Sequence, residues 1–145
     1  MLRLMTMADY DEVRALWERT EGMGLNDVDD SRAGIEKYLL RNPNTCFVSV
    51  DDGAINGVIL AGHDGRRGYI HHTAVDKSLR GTGRGRALVE AALFALRTEN
   101  ISKVALVVFQ RNQIGNGFWE KMGFELRTDL NYRNRALRTL VRMDT

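Results

Sequence analysis

The chain has little of what marks several classes of protein. Its 145 residues include one cysteine and one proline, so a disulfide within the chain is excluded and a proline-rich linker is not indicated. No stretch reaches the roughly 18 consecutive apolar residues of a membrane span, and the first residues lack the long apolar region of a secretion signal. We therefore expect a cytoplasmic protein that has no contact with a membrane.

The composition that remains is typical of one folded domain. Apolar residues make up 43% of the chain and charged residues 28%, and the length suits a single core. We predict one domain over residues 1–145. Cys46 lies in the apolar run Cys46-Phe47-Val48, which is more typical of a small core residue than of a nucleophile.

Positive charge is concentrated in one short segment, although the formal net charge is only +2. Lys77, Arg80, Arg84 and Arg86 fall within ten positions. Such a cluster indicates either a phosphorylated ligand, which suits the planar guanidinium group, or a solvated charged face. Nucleic acid is not an expected partner, because acidic residues nearly balance the basic ones and no known nucleic-acid motif accompanies the arginines.

Periodic patterns predict an α/β fold in the order β-α-α-β-β-β-α-β-α-β-β. The predicted strands cover residues 2–5, 45–50, 55–62, 69–75, 104–109, 124–128 and 137–143. Helical spacing of apolar residues predicts four helices between them, two of which lie between the first and second strands. Turn residues between the second, third and fourth strands favour an antiparallel meander. The helix between 75 and 104 joins parallel neighbours, so we expect a central mixed sheet flanked by helices.

Three glycines at alternate positions precede the third of these helices. Gly81, Gly83 and Gly85 are unsuited to a strand, because glycine supplies no side chain to pack. A run without Cβ atoms at a helix start can instead direct backbone N–H groups toward a phosphate. The spacing matches neither the P-loop nor the dinucleotide-binding fingerprint, in which a glycine would stand where this chain has Arg86.

Two segments resemble the cofactor-binding motifs of the GNAT N-acetyltransferases. Val75, four further residues and then 80–86 are similar to the acetyl-coenzyme A signature of that family, and Asn112 followed by 118–124 is similar to its second cofactor segment. The resemblance implies transfer of an acetyl group from acetyl-coenzyme A to a primary amine, directly in a ternary complex and without a metal. A homodimer through the last strands is also expected.

The resemblance also implies which residues hold the cofactor. A strand pairs with the pantetheine arm, the glycine-rich loop binds the pyrophosphate, and the second segment adds further contacts. The implied residues are Thr73, Ala74, Val75, Arg80, Gly81, Thr82, Gly83, Arg84, Gly85, Arg86, Asn112 and Trp119. Asn112 equally suits the N-cap of the helix that follows it, and the two roles are compatible.

His71, His72 and Tyr132 are the candidate catalytic residues. A primary amine arrives mostly protonated, and histidine can accept a proton near neutral pH. Alternation along a regular strand favours His71, which would share a face with Thr73, whereas a bulge would favour His72. Packing is the alternative role for either histidine. Many relatives have a tyrosine acid where this chain has Trp119, so water or Tyr132 would have to protonate the leaving thiolate.

Other interpretations stay open at this point. Because Trp119 cannot act as an acid, the chain could bind an acyl-coenzyme A without transferring the acyl group, as a sensor or a partner-binding module. An arginine-rich nucleic-acid module is the least supported reading. Asp27, Asp29 and Asp30 lie between the first two helices, where acids either attract a cationic amine or favour the start of the second helix.

Overall fold

The computed structural model describes residues 1–143. The predicted domain extends two residues further, and these lie outside the described residues. Strand β1 is followed by a short 3₁₀ turn, two helices and a run of strands, then by helices that alternate with a last strand. The elements are β1 (Leu2–Leu4), α1 (Tyr10–Glu18), α2 (Arg32–Arg41), β2 (Phe47–Asp51), β3 (Ala54–Ile59), β4 (Ala61–His63), β5 (Gly68–Ile70), β6 (Ala74–Val75), α3 (Arg84–Thr98), β7 (Val104–Ala105) and α4 (Gln113–Lys121).

The strands form two joined sheets, in the orders β1-β2-β3-β6 and β4-β5-β7. Each of two predicted long strands is divided between the sheets, one at Leu60 and the other at residues 71–73. The amide of His71 donates to the Leu60 carbonyl oxygen at 2.8 Å, which ties the two breaks together. Since β5 and β7 pair in parallel and all other pairs are antiparallel, the predicted mixed sheet is confirmed.

Helices cover both faces of the sheet, because neighbouring strand residues point to opposite sides. Val58 and Ile59 of β3 are both fully buried. Val58 packs in a cluster with Trp17 of α1, whereas Ile59 packs in a second cluster with Leu88 of α3. The fold class predicted from the sequence, an α/β arrangement with a flanked mixed sheet, is therefore confirmed.

The last two predicted strands are wrong for the residues that the structure describes. No regular strand follows α4 within residues 122–143, and only an isolated antiparallel bridge joins Arg142 to Asn26. Residues 125–140, called the arm below, are exposed throughout, with Leu126 85% and Leu137 95% accessible. Alternating apolar residues form a strand only when a partner strand completes the hydrogen bonds, and the described chain provides none here.

The predicted strand 104–109 is also shorter than expected, since pairing is confined to Val104 and Ala105. None of the helices within residues 1–143 combines the length and the apolar character that crossing a bilayer requires.

Candidate active site

The two sheets separate beside residues 71–73. Pairing between β5 and β7 ends at Tyr69 and Ala105. The next strand, β6, pairs with β3 along one edge only, and within residues 1–143 no strand occupies its other edge. The backbone of residues 72–75 therefore has an edge at which an extended ligand can form strand-like hydrogen bonds.

The glycine-rich loop adopts a backbone shape that its sequence requires. Gly81 and Gly83 have φ angles of +80° and +86°, and a Cβ atom at either position would meet no atom within 4 Å. These two glycines are therefore needed for their conformation and not for space. Gly85 differs, because a Cβ atom there would lie 3.2 Å from the Phe118 ring. Gly85 lets α3 approach α4.

The loop presents a series of free backbone donors at the start of α3. Gly83 is the N-cap of this 15-residue helix and has no capping side chain. The first helical hydrogen bond runs from Ala87 N to Gly83 O at 3.0 Å, and no group in residues 1–143 accepts from the N–H groups of 81–86. The Thr82 hydroxyl donates to Leu79 O at 2.5 Å and fixes the turn. Free N–H groups at the positive end of a helix dipole form an anion site.

The arginines around this loop differ in their partners. Arg84 forms an ion pair with Asp51 and donates to the Ser49 hydroxyl at 3.3 Å. Arg86 lies 3.6 Å from Glu90 on the same helix. Within the part of the chain that the structure describes, Arg80 has no ion-pair partner. Arg80 is therefore the guanidinium of the cluster that is available to a phosphate.

His72 pairs with a buried carboxylate from the loop between α1 and α2. Its Nε2 lies 2.7 Å from Oδ1 of Asp30, whose side chain is only 4% exposed. The ring of Trp17 packs against His72 in a T-shaped arrangement, with the centroids 5.2 Å apart. The break at 71–73 thus directs His72 toward α1 and the loop before α2.

His71 occupies a different environment from its neighbour. Its ring stacks at a tilt on Tyr69, at 4.6 Å between centroids, and meets Tyr38 edge-on at 5.5 Å. Although the residue keeps an exposed surface, loss of hydration among these groups and the proximity of His72 lower the pKa of His71 from 6.5 to about 4. Its imidazole is therefore neutral at pH 7 and a weak base.

Three further predicted residues, Asn112, Trp119 and Tyr132, have distinct surroundings. Asn112 is the N-cap of α4, and its Oδ1 accepts from Gly115 N at 2.9 Å. Trp119 packs edge-on between Phe118 and Phe124, at 5.0 and 5.2 Å between centroids.

Tyr132 lies on the arm and is 69% exposed. Burial, and to a smaller extent the Tyr132 hydroxyl, raises the pKa of Tyr69, on whose ring His71 stacks. Tyr132 therefore lies within electrostatic range of Tyr69.

Asp30 is named from the sequence as an acid of the loop, but the sequence does not predict its pairing with His72. It lies 42 positions before His72, and no local spacing connects the two. The acidic loop was a visible signal, but it did not indicate which carboxylate is buried.

The family and its fold can be recognised by comparison with known proteins. The model of the acetyltransferase (GNAT) family matches residues 10–124. An acetyltransferase of Yersinia enterocolitica is 30% identical over 124 residues, which are 86% of each chain. The Ard1 structure of Thermoplasma volcanium has a TM-score of 0.76 and is 25% identical, and the match covers 88% of this chain and 83% of that one.

A second similar structure contains coenzyme A. The PaiA N-acetyltransferase of Thermoplasma acidophilum, solved in complex with coenzyme A, has a TM-score of 0.73 and is 14% identical, with 88% of this chain and 90% of that chain covered. In the present chain, the free N–H groups of 81–86 and the open edge of β6 suit a pyrophosphate and an amide-containing arm. The chain belongs to the GNAT family of acetyltransferases and uses acetyl-coenzyme A as its acyl donor.

Proposed function

We propose that the protein transfers an acetyl group from acetyl-coenzyme A to a primary amine, directly and within a ternary complex. The observation that carries direct transfer is the state of Cys46, the only cysteine of the chain. Cys46 is 1% exposed, and burial raises the pKa of its thiol from 9.0 to about 12. It is neither accessible nor ionised, so it is unsuited to carry the acetyl group between donor and acceptor.

The cofactor would lie along the open edge of β6 and end at the glycine-rich loop. Thr73, Ala74 and Val75 would pair with the amides of the pantetheine arm, and the N–H groups of 81–86 would bind the pyrophosphate. Arg80 would add a charge-assisted hydrogen bond to a phosphate. This arrangement would place the thioester next to residues 71–73, where the pairing between β5 and β7 has ended.

The remaining predicted cofactor residues would act in different ways, through backbone donors, a side-chain amide or packing. Arg84 and Arg86 are paired with Asp51 and Glu90, so they would contribute mainly through their backbone N–H groups. Asn112 retains its amide nitrogen while its oxygen caps α4. Trp119 would support the second cofactor segment from within the aromatic cluster.

His72 is the proposed base, with the reaction at the break between β5 and β6. His71 is less suited, because its lowered pKa makes it a weak acceptor for a proton from an amine. A backbone N–H near Thr73 would stabilise the oxyanion. Tyr132 is the candidate proton donor to the leaving thiolate, and solvent is the alternative, since a thiol leaves readily as its anion.

Initial-rate kinetics test direct transfer. With acetyl-coenzyme A and a panel of primary amines that includes peptides with a free N-terminus, we expect release of free thiol and intersecting double-reciprocal lines. Cys46→Ala should keep the same pattern and turnover. Parallel lines, or an acetylated protein detected by mass spectrometry after incubation with acetyl-coenzyme A alone, would indicate an acetyl-enzyme intermediate and contradict direct transfer.

The same assay distinguishes the enzyme from a non-catalytic acyl-coenzyme A sensor. Turnover with any amine excludes the sensor. Binding of acetyl-coenzyme A without thiol release across the panel would favour it.

We also propose that two copies of the chain associate through the arm. The arm carries apolar side chains that are largely exposed, among them Leu126 and Leu137. In the described chain β7 pairs on one side only, so its free edge can accept an extended segment from a second copy. Such pairing would remove both the exposed apolar surface and the open edge from solvent.

A further inference from the structure

Asp30 is held in place through both its side chain and its backbone. One carboxylate oxygen lies 2.7 Å from His72 Nε2, and the other accepts from Asn26 N at 2.8 Å. Its carbonyl oxygen accepts from the Tyr10 hydroxyl at 2.7 Å and from Arg14 at 2.9 Å. With its residue only 3% exposed, the carboxylate has no freedom to turn away from His72.

The loop around Asp30 is itself tightly ordered. Asn26 Oδ1 accepts from the amides of Val28 and Asp29, at 2.9 and 2.7 Å. Gly34, in the first turn of α2, approaches so closely that a Cβ atom would lie 2.3 Å from the carbonyl oxygens of residues 28 and 29. The position of Asp30 is therefore fixed by the start of α2 and not only by the histidine.

The chemistry of this pair fixes where the proton of His72 lies. An ionised carboxylate only accepts hydrogen bonds, and Oδ2 of Asp30 accepts from Asn26 N while Oδ1 faces Nε2 of His72. Nε2 of His72 must therefore carry a hydrogen. In the neutral imidazole, the other nitrogen, Nδ1, then holds the lone pair.

Nδ1 of His72 keeps some solvent-accessible surface. In residues 1–143 the buried side-chain nitrogen and oxygen atoms without a hydrogen bond are Trp17 Nε1 and Asn56 Oδ1. Nδ1 is not one of them, and no described residue bonds to it. The basic nitrogen therefore keeps a surface that a substrate can contact, while the protonated nitrogen faces the carboxylate of Asp30.

The charged and titratable groups around His72 come from several elements. Asp30 faces it from the loop, and Asp29 lies on the same loop. Tyr10 and Arg14 of α1 contact the backbone of Asp30. His71 is the neighbouring imidazole, with its centroid 6.4 Å away. Asp30 is the only one of these in direct contact with a ring nitrogen of His72 among the described residues.

We propose that Asp30 is a positioning residue for acetyl transfer: it keeps the proton of His72 on Nε2 and thereby presents Nδ1 to the acceptor amine. The inference rests on the proposed function. As the amine nitrogen forms its bond to the thioester carbon, its proton passes to Nδ1, and the C–S bond breaks with its electron pair on the thiolate. The thiolate takes a proton from solvent, and the imidazolium returns its own to solvent. The products are the amide and free coenzyme A.

A tautomer measurement tests the proposal without any substrate. In ¹⁵N-labelled unaltered protein near pH 8, long-range ¹H–¹⁵N correlations should show His72 with its proton on Nε2. In Asp30→Asn, the single amide oxygen remains opposite Asn26 N, and the NH₂ group faces the histidine. The proton should then move to Nδ1. An Nδ1–H tautomer in the unaltered protein would overturn the proposal.

Kinetics test the consequence for transfer. Asp30→Asn should lower kcat by about 10²-fold to 10⁴-fold, while the affinity for acetyl-coenzyme A changes little. In a His72→Gln background, Asp30→Asn should lower kcat no further, because it acts through the histidine. An equal loss in both backgrounds would mean that Asp30 has only a structural role, and the proposal would fail.

Asp9→Asn is the matched control. Asp9 is also buried, at 5% exposure, and its oxygens accept from Arg3 and from Thr6 N, but it does not touch the histidines. It should lose stability with kcat unchanged. If the unaltered protein acetylates no amine in the panel, the proposed function fails, whereas the tautomer of His72 still decides whether Asp30 fixes the proton.

Discussion

His71 and His72 are adjacent in the sequence but have opposite surroundings. His72 faces the carboxylate of Asp30 through Nε2, whereas His71 lies among aromatic rings and beside His72, where loss of hydration and the neighbouring imidazole lower its pKa. Alternation along a strand predicted that one histidine would face the cofactor side, and it favoured His71. The strand is interrupted at 71–73, so the rule of alternation does not apply to the residues for which it was used.

The lowered pKa of His71 makes stability depend on pH. The unfolded chain binds a proton at this histidine near pH 6.5, but the folded protein does so only near pH 4. Stability is therefore fully present above pH 6.5 and is lost as the pH falls from 6.5 toward 4. We expect the thermal unfolding midpoint to decrease when the pH is lowered from 7.5 to 5, and to decrease less in His71→Gln. The same pH dependence in both proteins, measured by circular dichroism, would contradict this assignment.

Among the elements, the glycine-rich loop connects backbone conformation most directly to cofactor binding. Gly81 and Gly83 have space for a Cβ atom, but their positive φ angles are ones that residues with a side chain rarely adopt. The sequence predicted the loop, its place before a helix and the mixed sheet, because glycine spacing and apolar periodicity are local signals. It did not predict where β3–β4 and β5–β6 are interrupted, or which arginine is free, because those depend on contacts between distant segments.

Gly83→Ala, compared with a control, tests whether the conformation of the loop affects cofactor binding separately from its effect on stability. Alanine in the left-handed region costs about 1 to 2 kcal/mol, and a displaced N–H group should weaken acetyl-coenzyme A binding by about tenfold, the effect of one charge-assisted hydrogen bond. Gly53→Ala is the control, because Gly53 also has a positive φ, +77°, and open space, but it lies in the turn between β2 and β3. Calorimetry should show a similar loss of stability in both variants and weaker cofactor binding in Gly83→Ala alone. Equal affinities would show that the loop shape does not matter.

At the scale of the whole molecule, the arm is the part that the sequence predicted least well. Its alternating apolar residues gave a strand pattern, yet within residues 1–143 it has no strand partner. A pattern of this kind reports that a segment can pair, and it does not report whether the partner belongs to the same chain.

We expect a dimer of twice 16.4 kDa by light scattering coupled to size-exclusion chromatography. The double variant Leu126→Asp, Leu137→Asp should be a monomer, because charge at both positions prevents burial of the arm. Leu40→Asp alters an equally apolar residue, 76% exposed on α2, and should leave the dimer intact. A monomer at all concentrations of the unaltered protein would contradict association through the arm.

The contact between residues 141–143 and the loop before α2 has a consequence for the order of events during synthesis. Asp27 N donates to Val141 O at 3.1 Å, and Met143 N donates to Leu25 O at 3.0 Å. The ribosome makes residues 141–143 after every strand and helix described here. The loop that carries Asp30 therefore receives its last backbone support from residues that are made after every element of the candidate cofactor site.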